Sequence, residues 1–179
     1  MSEKGAVMPK LTRSKTVFYV FLVAAILWMA FIYMKSAEPY QQQSLKPYLE
    51  SKFSTEKLKE HIPKVKFTYD QQVISWQDPI NLIEFFIRKA GHVSEYAVLA
   101  LLWSIALLAK PVRMNIALIS SFPISLLYAM SDEWHQSFVK DRTGHGIDVV
   151  VDGVGIVCAL ILIVVVVSIR NRIKSRRIS

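Results

Sequence analysis

Apolar positions along the chain gather into four long runs, separated by polar segments of very unequal size. The first run, residues 16–34 (TVFYVFLVAAILWMAFIYM), carries no charge over 19 positions. A hydrocarbon core about 30 Å thick needs about 20 apolar residues in helical form, so this run predicts a transmembrane helix. It is longer than the core of a secretory signal, and no small-x-small cleavage site follows it, which favours a retained helix. Residues 79–109 predict one continuous helical stretch with Pro79 in its first turn. Its opening, NLIEFFIRK, is amphipathic and belongs at the membrane interface, while its fully apolar part starts near Val93. Residues 116–131 predict a third helix kinked at Pro123, and residues 148–169 a fourth, nearly pure in Ile, Val and Leu from Ile156 onward. The expected fold class is an all-α membrane protein: four transmembrane helices with a polar extracytoplasmic cap between helices 1 and 2.

The chain then divides into a cytoplasmic tail (1–15), helix 1 (16–34), an extracytoplasmic loop with an interfacial segment (35–87), a core of residues 88–169 carrying helices 2–4, and a basic tail (170–179). Within the cap, SAEPYQQQSLKPYLE reads as a loop because of its prolines and glutamines. Around 54–61 a short helix is expected, capped by Ser54 and ended by Pro63. Val65, Phe67 and Tyr69 then alternate with polar residues, which suggests a short hairpin turning near Asp70–Gln72. The segment has too few apolar residues for a core of its own and is expected to lie over the membrane helices.

Charge sets the expected orientation. Four Lys or Arg precede helix 1, two lie in the 110–115 turn, and five lie in the tail from residue 170. Four spans put these segments on one side, and the positive-inside rule makes it the cytoplasm, with both termini inside. The formal charge of +8 is concentrated beside apolar runs. It therefore points to membrane lipids, with anionic lipid at the C-terminal tail, and not to nucleic acid. The single cysteine, Cys158, lies within the last run and reads as a small residue packed between helices.

This topology carries a set of ionisable residues to the outer ends of three helices, where such groups are costly and are by default functional candidates. At 100° per residue Arg88, His92, Glu95 and Leu99 fall within about 60° of one another. Ser121, Ser125, Tyr128, Asp132 and His135 make a comparable stripe on helix 3, and Asp148 and Asp152 share a face of helix 4 with Gly155 and Ala159. Three kinds of role fit. Arg88 or Arg142 can form a structural ion-pair network with the carboxylates. A divalent metal is compatible with the histidines and carboxylates, but no spacing is diagnostic, the helical His-Glu-x-x-His arrangement is missing, and no metal is assigned. Catalysis would pair a carboxylate base with a histidine or protonated carboxylate, with Glu95, Asp132, His135 and Asp148 as candidates. Gly144 and Gly146 bracket His145 in a loop that, with Lys140, Arg142 and the first amides of helix 4, can receive an anionic lipid head group.

Two blocks carry a resemblance. Arg88, Lys89, His92, Glu95 and Tyr96 form an RK-x-x-H-x-x-EY opening to helix 2. Ser131, Asp132, Glu133, His135, Gln136 and Phe138 form an SDE-x-HQ-x-F run, followed by Arg142, Gly144 and Asp148. Over about residues 75–167 the chain resembles the VanZ-like family of bacterial integral membrane proteins. The resemblance implies a multi-pass protein of the bacterial cytoplasmic membrane, a cell-envelope factor whose namesake lowers susceptibility to the lipoglycopeptide teicoplanin. The ligand-binding candidates become Arg88, His92, Glu95, Tyr96, Asp132, Glu133, His135, Gln136, Arg142, Asp148 and Asp152. The expected ligand is a lipid-linked or lipid-tailed molecule at the outer leaflet, such as a lipid-linked cell-wall precursor or a lipoglycopeptide. A lipid head-group hydrolase or transferase is the alternative, and a ligand-free ion-pair core a further one. The spacing of Arg142, Asp148 and Asp152 is similar to the SR-x5-H-x3-D motif of lipid phosphate phosphatases. Here, however, Asp148 stands at the nucleophilic histidine position and Asp141 at the serine position.

Overall fold

The computed structural model describes residues 14–176 apart from Asp141 and Thr143. Residues 1–13 of the expected N-terminal tail and 177–179 of the basic tail lie outside the described residues, as does Asp141 of the phosphatase-like spacing. The described chain runs α1 (Lys15–Ser36), α2 (Tyr40–Gln43), α3 (Lys46–Lys52), α4 (Thr55–His61), β1 (Lys66–Tyr69), β2 (Gln72–Ser75), α5 (Pro79–Leu108), α6 (Met114–Gln136) and α7 (Asp148–Arg176). Four of these helices, α1, α5, α6 and α7, are long and apolar enough to cross a membrane.

The bundle is built around α5, which packs against α1, α6 and α7 and also carries α3, α4 and β2. Its closest neighbour is α7. A Cβ placed on Gly155 would strike the backbone carbonyl of Val93, so glycine lets the two backbones meet. Tyr96, Leu99, Ala100, Ala129, Ile156, Ala159 and Ile32 form the buried core around this crossing. A second apolar cluster, Leu108, Ala117, Leu118 and Ile163, fills the end where α5 turns into α6. Between the two, the buried hydroxyls of Ser104 and Ser121 hydrogen-bond at 2.8 Å. Helix α1 is tied in by polar side chains reaching backbone carbonyls: Trp28 Nε1 donates to the Glu95 carbonyl at 2.9 Å and the Tyr128 hydroxyl to that of Met29 at 2.5 Å.

The outer surface is what a lipid-facing bundle requires. Leu27, Ile119 and Val150 are 65%, 70% and 65% exposed, an arrangement that would be an aggregation hazard in water and is ordinary against acyl chains. Cys158 is exposed on this surface. The expectation that it packs between helices is therefore corrected: it lies about 100° round the helix from buried Ala159.

Connectivity gives the bundle two unlike ends. The start of α1 meets the end of α5, where Lys110 Nζ sits 3.7 Å from the Phe18 ring centroid. The opposite end carries the cap. At 30 residues α5 is about 45 Å long, more than the hydrocarbon thickness, so its amphipathic first turns stand at the cap. The expected hairpin forms, with Phe67 opposite Ile74 and Tyr69 opposite Gln72. Its turn residues Asp70 and Gln71 both have positive φ, 43° and 67°, the twist that a two-residue hairpin turn requires. Phe67 and Tyr69 pack edge-on against Phe85 of α5 at 5.6 and 5.0 Å between centroids.

Three local expectations are corrected. The stretch 36–50, read as loop, contains α2 and most of α3, because Pro39 sits at an N-cap and Pro47 in a first turn, where proline starts a helix instead of breaking it. Ser54 stands at the N-cap of α4, but its hydroxyl donates to the Glu56 carboxylate at 2.9 Å and accepts no backbone N–H. Helix α6 does not stop at 131. It continues through Gln136, so Asp132, Glu133 and His135 all lie within the helix itself. The helix also runs through Pro123.

Candidate functional site

Three helices and the hairpin bring their ionisable residues together at the cap end. Asp148 and Asp152 lie one turn apart on the buried face of α7, 4% and 0% exposed. Asp152 Oδ1 faces His92 Nδ1 of α5 at 3.0 Å. His92 Nδ1 also lies 4.0 Å from Oε1 of buried Glu133 on α6. The other Glu133 oxygen accepts the His145 backbone N–H at 2.9 Å. The loop reaches this position because Gly144 passes against the Glu133 carbonyl, where a Cβ would not fit. Asp148 is held by the Lys89 ammonium and the Tyr69 hydroxyl. Burial, and then this hydrogen bond, push the Tyr69 phenol well above its ordinary pKa, so it stays protonated and donates to Asp148. The His145 ring meets Asp70 at the hairpin turn.

One donor atom each from His92, Glu133 and Asp152 lies within 4.8 Å of the others, which makes these the residues among those described that can hold a metal ion. The second oxygen of Asp152 and Oε1 of Glu133 are buried and have no hydrogen-bond partner. An isolated structural network of this kind would normally satisfy such atoms, because an unpaired buried polar group costs about 1–3 kcal/mol.

Two cavities open beside this cluster. The larger, of about 310 Å³, is lined by Lys46, Arg88, Lys89 and Arg142 as its cations, by Glu84 and Asp148 as its acids, and by His145. Both acids are already engaged: Glu84, 1% exposed, accepts from the Tyr40 and Ser44 hydroxyls at 2.9 Å and from the Leu45 N–H at 2.7 Å. The smaller cavity, of about 210 Å³, is lined by Lys35, Ser36, Arg88, His92, Glu95, Asp132, Gln136 and Arg142. Arg88, Gln136 and Arg142 border both. Arg142 donates to the Ser36 carbonyl at 2.8 Å and to the Gln43 side chain, yet its Nε–H has no partner. Burial and the nearby Arg88 lower its pKa, but a guanidinium remains charged at neutral pH. Arg88 lies over the Tyr40 ring, 4.8 Å from its centroid, and its Nη1 is buried without a partner. Asp132 accepts from Gln136 at 2.9 Å through one oxygen and leaves the other unpaired.

The predicted residues do not all converge. His92, Glu133, Asp148 and Asp152 form one cluster, and Arg88, Asp132, Gln136 and Arg142 line the adjoining cavities. Glu95 borders the smaller cavity but is paired at 2.5 Å with half-exposed Lys35. Tyr96 is fully buried in the helix core, where its hydroxyl neighbours the Asp132 carboxylate. His135 is set apart: its ring packs on Tyr33 and its Nδ1 lies 3.4 Å from the Ser36 hydroxyl, facing α1, and it lines neither cavity. The stripe predicted for α6 therefore splits, with Ser121, Ser125 and Asp132 inward and His135 toward α1. Residues not singled out as candidates also enter the site: Lys89, Tyr69, Asp70 and Glu84. Of these Lys89 stands in the RK-x-x-H-x-x-EY block, whereas nothing in the sequence separates Tyr69, Asp70 or Glu84 from ordinary interfacial residues.

A four-span bundle with a charged, partly enclosed site at one end defines a multi-pass membrane protein. Within that class the chain belongs to the VanZ/LLP1 family, which matches residues 21–167, from α1 through most of α7. No curated protein and no solved structure matches the chain significantly.

Proposed function

We propose that the protein binds the anionic head group of a membrane lipid in the paired cavities at its cap end. The observation that carries this reading is the pair Arg88 and Arg142: both border the two cavities, and each buries an N–H with no partner. Guanidinium is suited to bidentate capture of phosphate or carboxylate. In the larger cavity Glu84 is paired with Lys46 at 3.9 Å and Asp148 with Lys89, which leaves Arg88 and Arg142 as the cations offered to a ligand. The basic segments at the other end of the bundle, Lys110, Arg113 and the residues from Arg170, support placing that end in the cytoplasm of a bacterial cell and the site at the outer leaflet. The ligand is then a phospholipid or a lipid-linked cell-wall precursor, and a lipid-tailed antibiotic such as teicoplanin would act on the same site or the same ligand pool.

Native mass spectrometry of the gently extracted protein tests this reading. It should retain a phosphorylated lipid that Arg88→Gln and Arg142→Gln lose. Wild-type protein that carries no lipid after extraction, and takes up none from added phospholipid or polyprenyl phosphate, would refute it. In cells, Arg142→Ala and Asp132→Ala should abolish any teicoplanin protection at unchanged protein abundance. A second reading, a head-group hydrolase or transferase, is favoured by the His92, Glu133 and Asp152 cluster beside the cavities. It requires turnover of such a lipid by the purified protein, with or without added divalent metal.

A further inference from the structure

We infer that His92, Glu133 and Asp152 form a binding site for a divalent transition-metal cation, held between α5, α6 and α7. The site goes beyond the head-group reading and stands on its own geometry, whatever the cavities take up. Donors sharing one ion at bonds of about 2.1 Å stand about 3–4 Å apart. His92 Nδ1 is 3.0 Å from Asp152 Oδ1 and 4.0 Å from Glu133 Oε1, and one donor from each residue lies within 4.8 Å of the rest. Small side-chain shifts close this set on an ion.

The cluster is more than a group of acids. Glu133 is 5% exposed and Asp152 0%, and each directs into the bundle an oxygen that no protein donor meets. A carboxylate offers about four lone-pair sites, and such atoms in a buried place are normally filled. Charge points the same way. Lys89 and the Tyr69 hydroxyl are spent on Asp148, which leaves His92 facing two buried carboxylates. Like charges at this separation in a dry setting are unfavourable, and a dication removes the imbalance. One imidazole nitrogen with two carboxylate oxygens suits zinc or manganese better than calcium, which takes six to eight oxygens. Three protein donors also leave coordination positions open, and His92 borders the smaller cavity, from which water or a ligand oxygen can reach the ion.

The experiment uses the full chain in detergent, stripped with EDTA and titrated with Mn²⁺. The wild type should saturate at one ion per chain at submillimolar Mn²⁺, and its electron spin-echo spectrum should show one directly bound imidazole nitrogen. His92→Gln and Glu133→Gln should each weaken binding by at least about 10-fold, within the range seen when metal ligation is disturbed. His145→Gln should keep the nitrogen signal, because that ring belongs to the hairpin contact with Asp70. Absence of saturable binding, a Mn²⁺ spectrum with no bound nitrogen, or loss of the signal in His145→Gln instead of His92→Gln would each overturn the proposal. The spectrum of the wild type decides the matter even where a ligand variant fails to fold. Lipid loss in Arg88→Gln with metal retained would separate this site from the head-group reading.

Discussion

The two ends of the bundle are built on opposite principles. Around Leu108, Ala117, Leu118 and Ile163 the helices meet through apolar side chains, and the polar groups nearby are few: the short Ser104–Ser121 hydroxyl bond and one unpartnered donor, Trp103 Nε1. At the cap end the same helices bury Asp132, Glu133, Asp148 and Asp152 and leave polar atoms of Arg88, Asp132, Glu133, Arg142 and Asp152 without partners. Burying charges costs stability unless they are paired and fully hydrogen-bonded. One end is thus consistent with holding the bundle together, and the other with a demand that stability alone does not explain.

The comparison breaks most severely at the helix crossing between the two ends. Gly155→Leu should drive a side chain into the Val93 carbonyl and destabilise the protein by about 3 kcal/mol or more, the upper range for overpacking. Thermal unfolding in detergent should show it, and an unchanged transition would mean that α5 and α7 do not touch there. Glu84→Ala comes next. It should strand the Tyr40 and Ser44 hydroxyls and the Leu45 N–H, costing about 1–3 kcal/mol for groups left unsatisfied. The loss should fall on the cap, so limited proteolysis should cut residues 40–53 faster while the four long helices remain protected. Equal cleavage throughout would show that the cap is not an independent layer. The smallest effect belongs to the dry end: Ser104→Ala with Ser121→Ala should shift stability by less than about 1 kcal/mol, in line with interhelical hydrogen bonds in membranes. A large loss there would erase the distinction between the ends.

Much of this arrangement is legible in the chain. The four spans follow from charge-free apolar length, and the spacing of Asp148, Asp152, Gly155 and Ala159 identifies the face of α7 that turns inward. What escaped the sequence depends on long-range partners. Lys89 and Tyr69 look like an interfacial lysine and a hairpin aromatic until the fold brings both to Asp148. Glu84, in an amphipathic stretch, reads as a surface acid because its three donors come from a segment forty residues earlier in the chain. His135 shares a stripe with Asp132 at a three-residue spacing, which is still about 60° off phase, enough to turn its ring toward α1. The sequence ends helix 3 at 131 because polar residues usually close a span, whereas α6 continues to Gln136 with Asp132, Glu133 and Gln136 buried.

A cap end that carries binding chemistry at the expense of stability should separate the two properties in a single variant. Arg142→Gln, measured for lipid retention and thermal stability on the same preparation, tests it most directly. Retention of a phosphorylated lipid should fall at least about 10-fold, as expected for a lost charge-assisted contact worth about 1.5–3 kcal/mol, while the lipid-free protein should lose no more than the about 1–3 kcal/mol that its bonds to Ser36 and Gln43 are worth. Intact lipid retention with a lowered unfolding temperature would contradict it and make the arginines part of the scaffold.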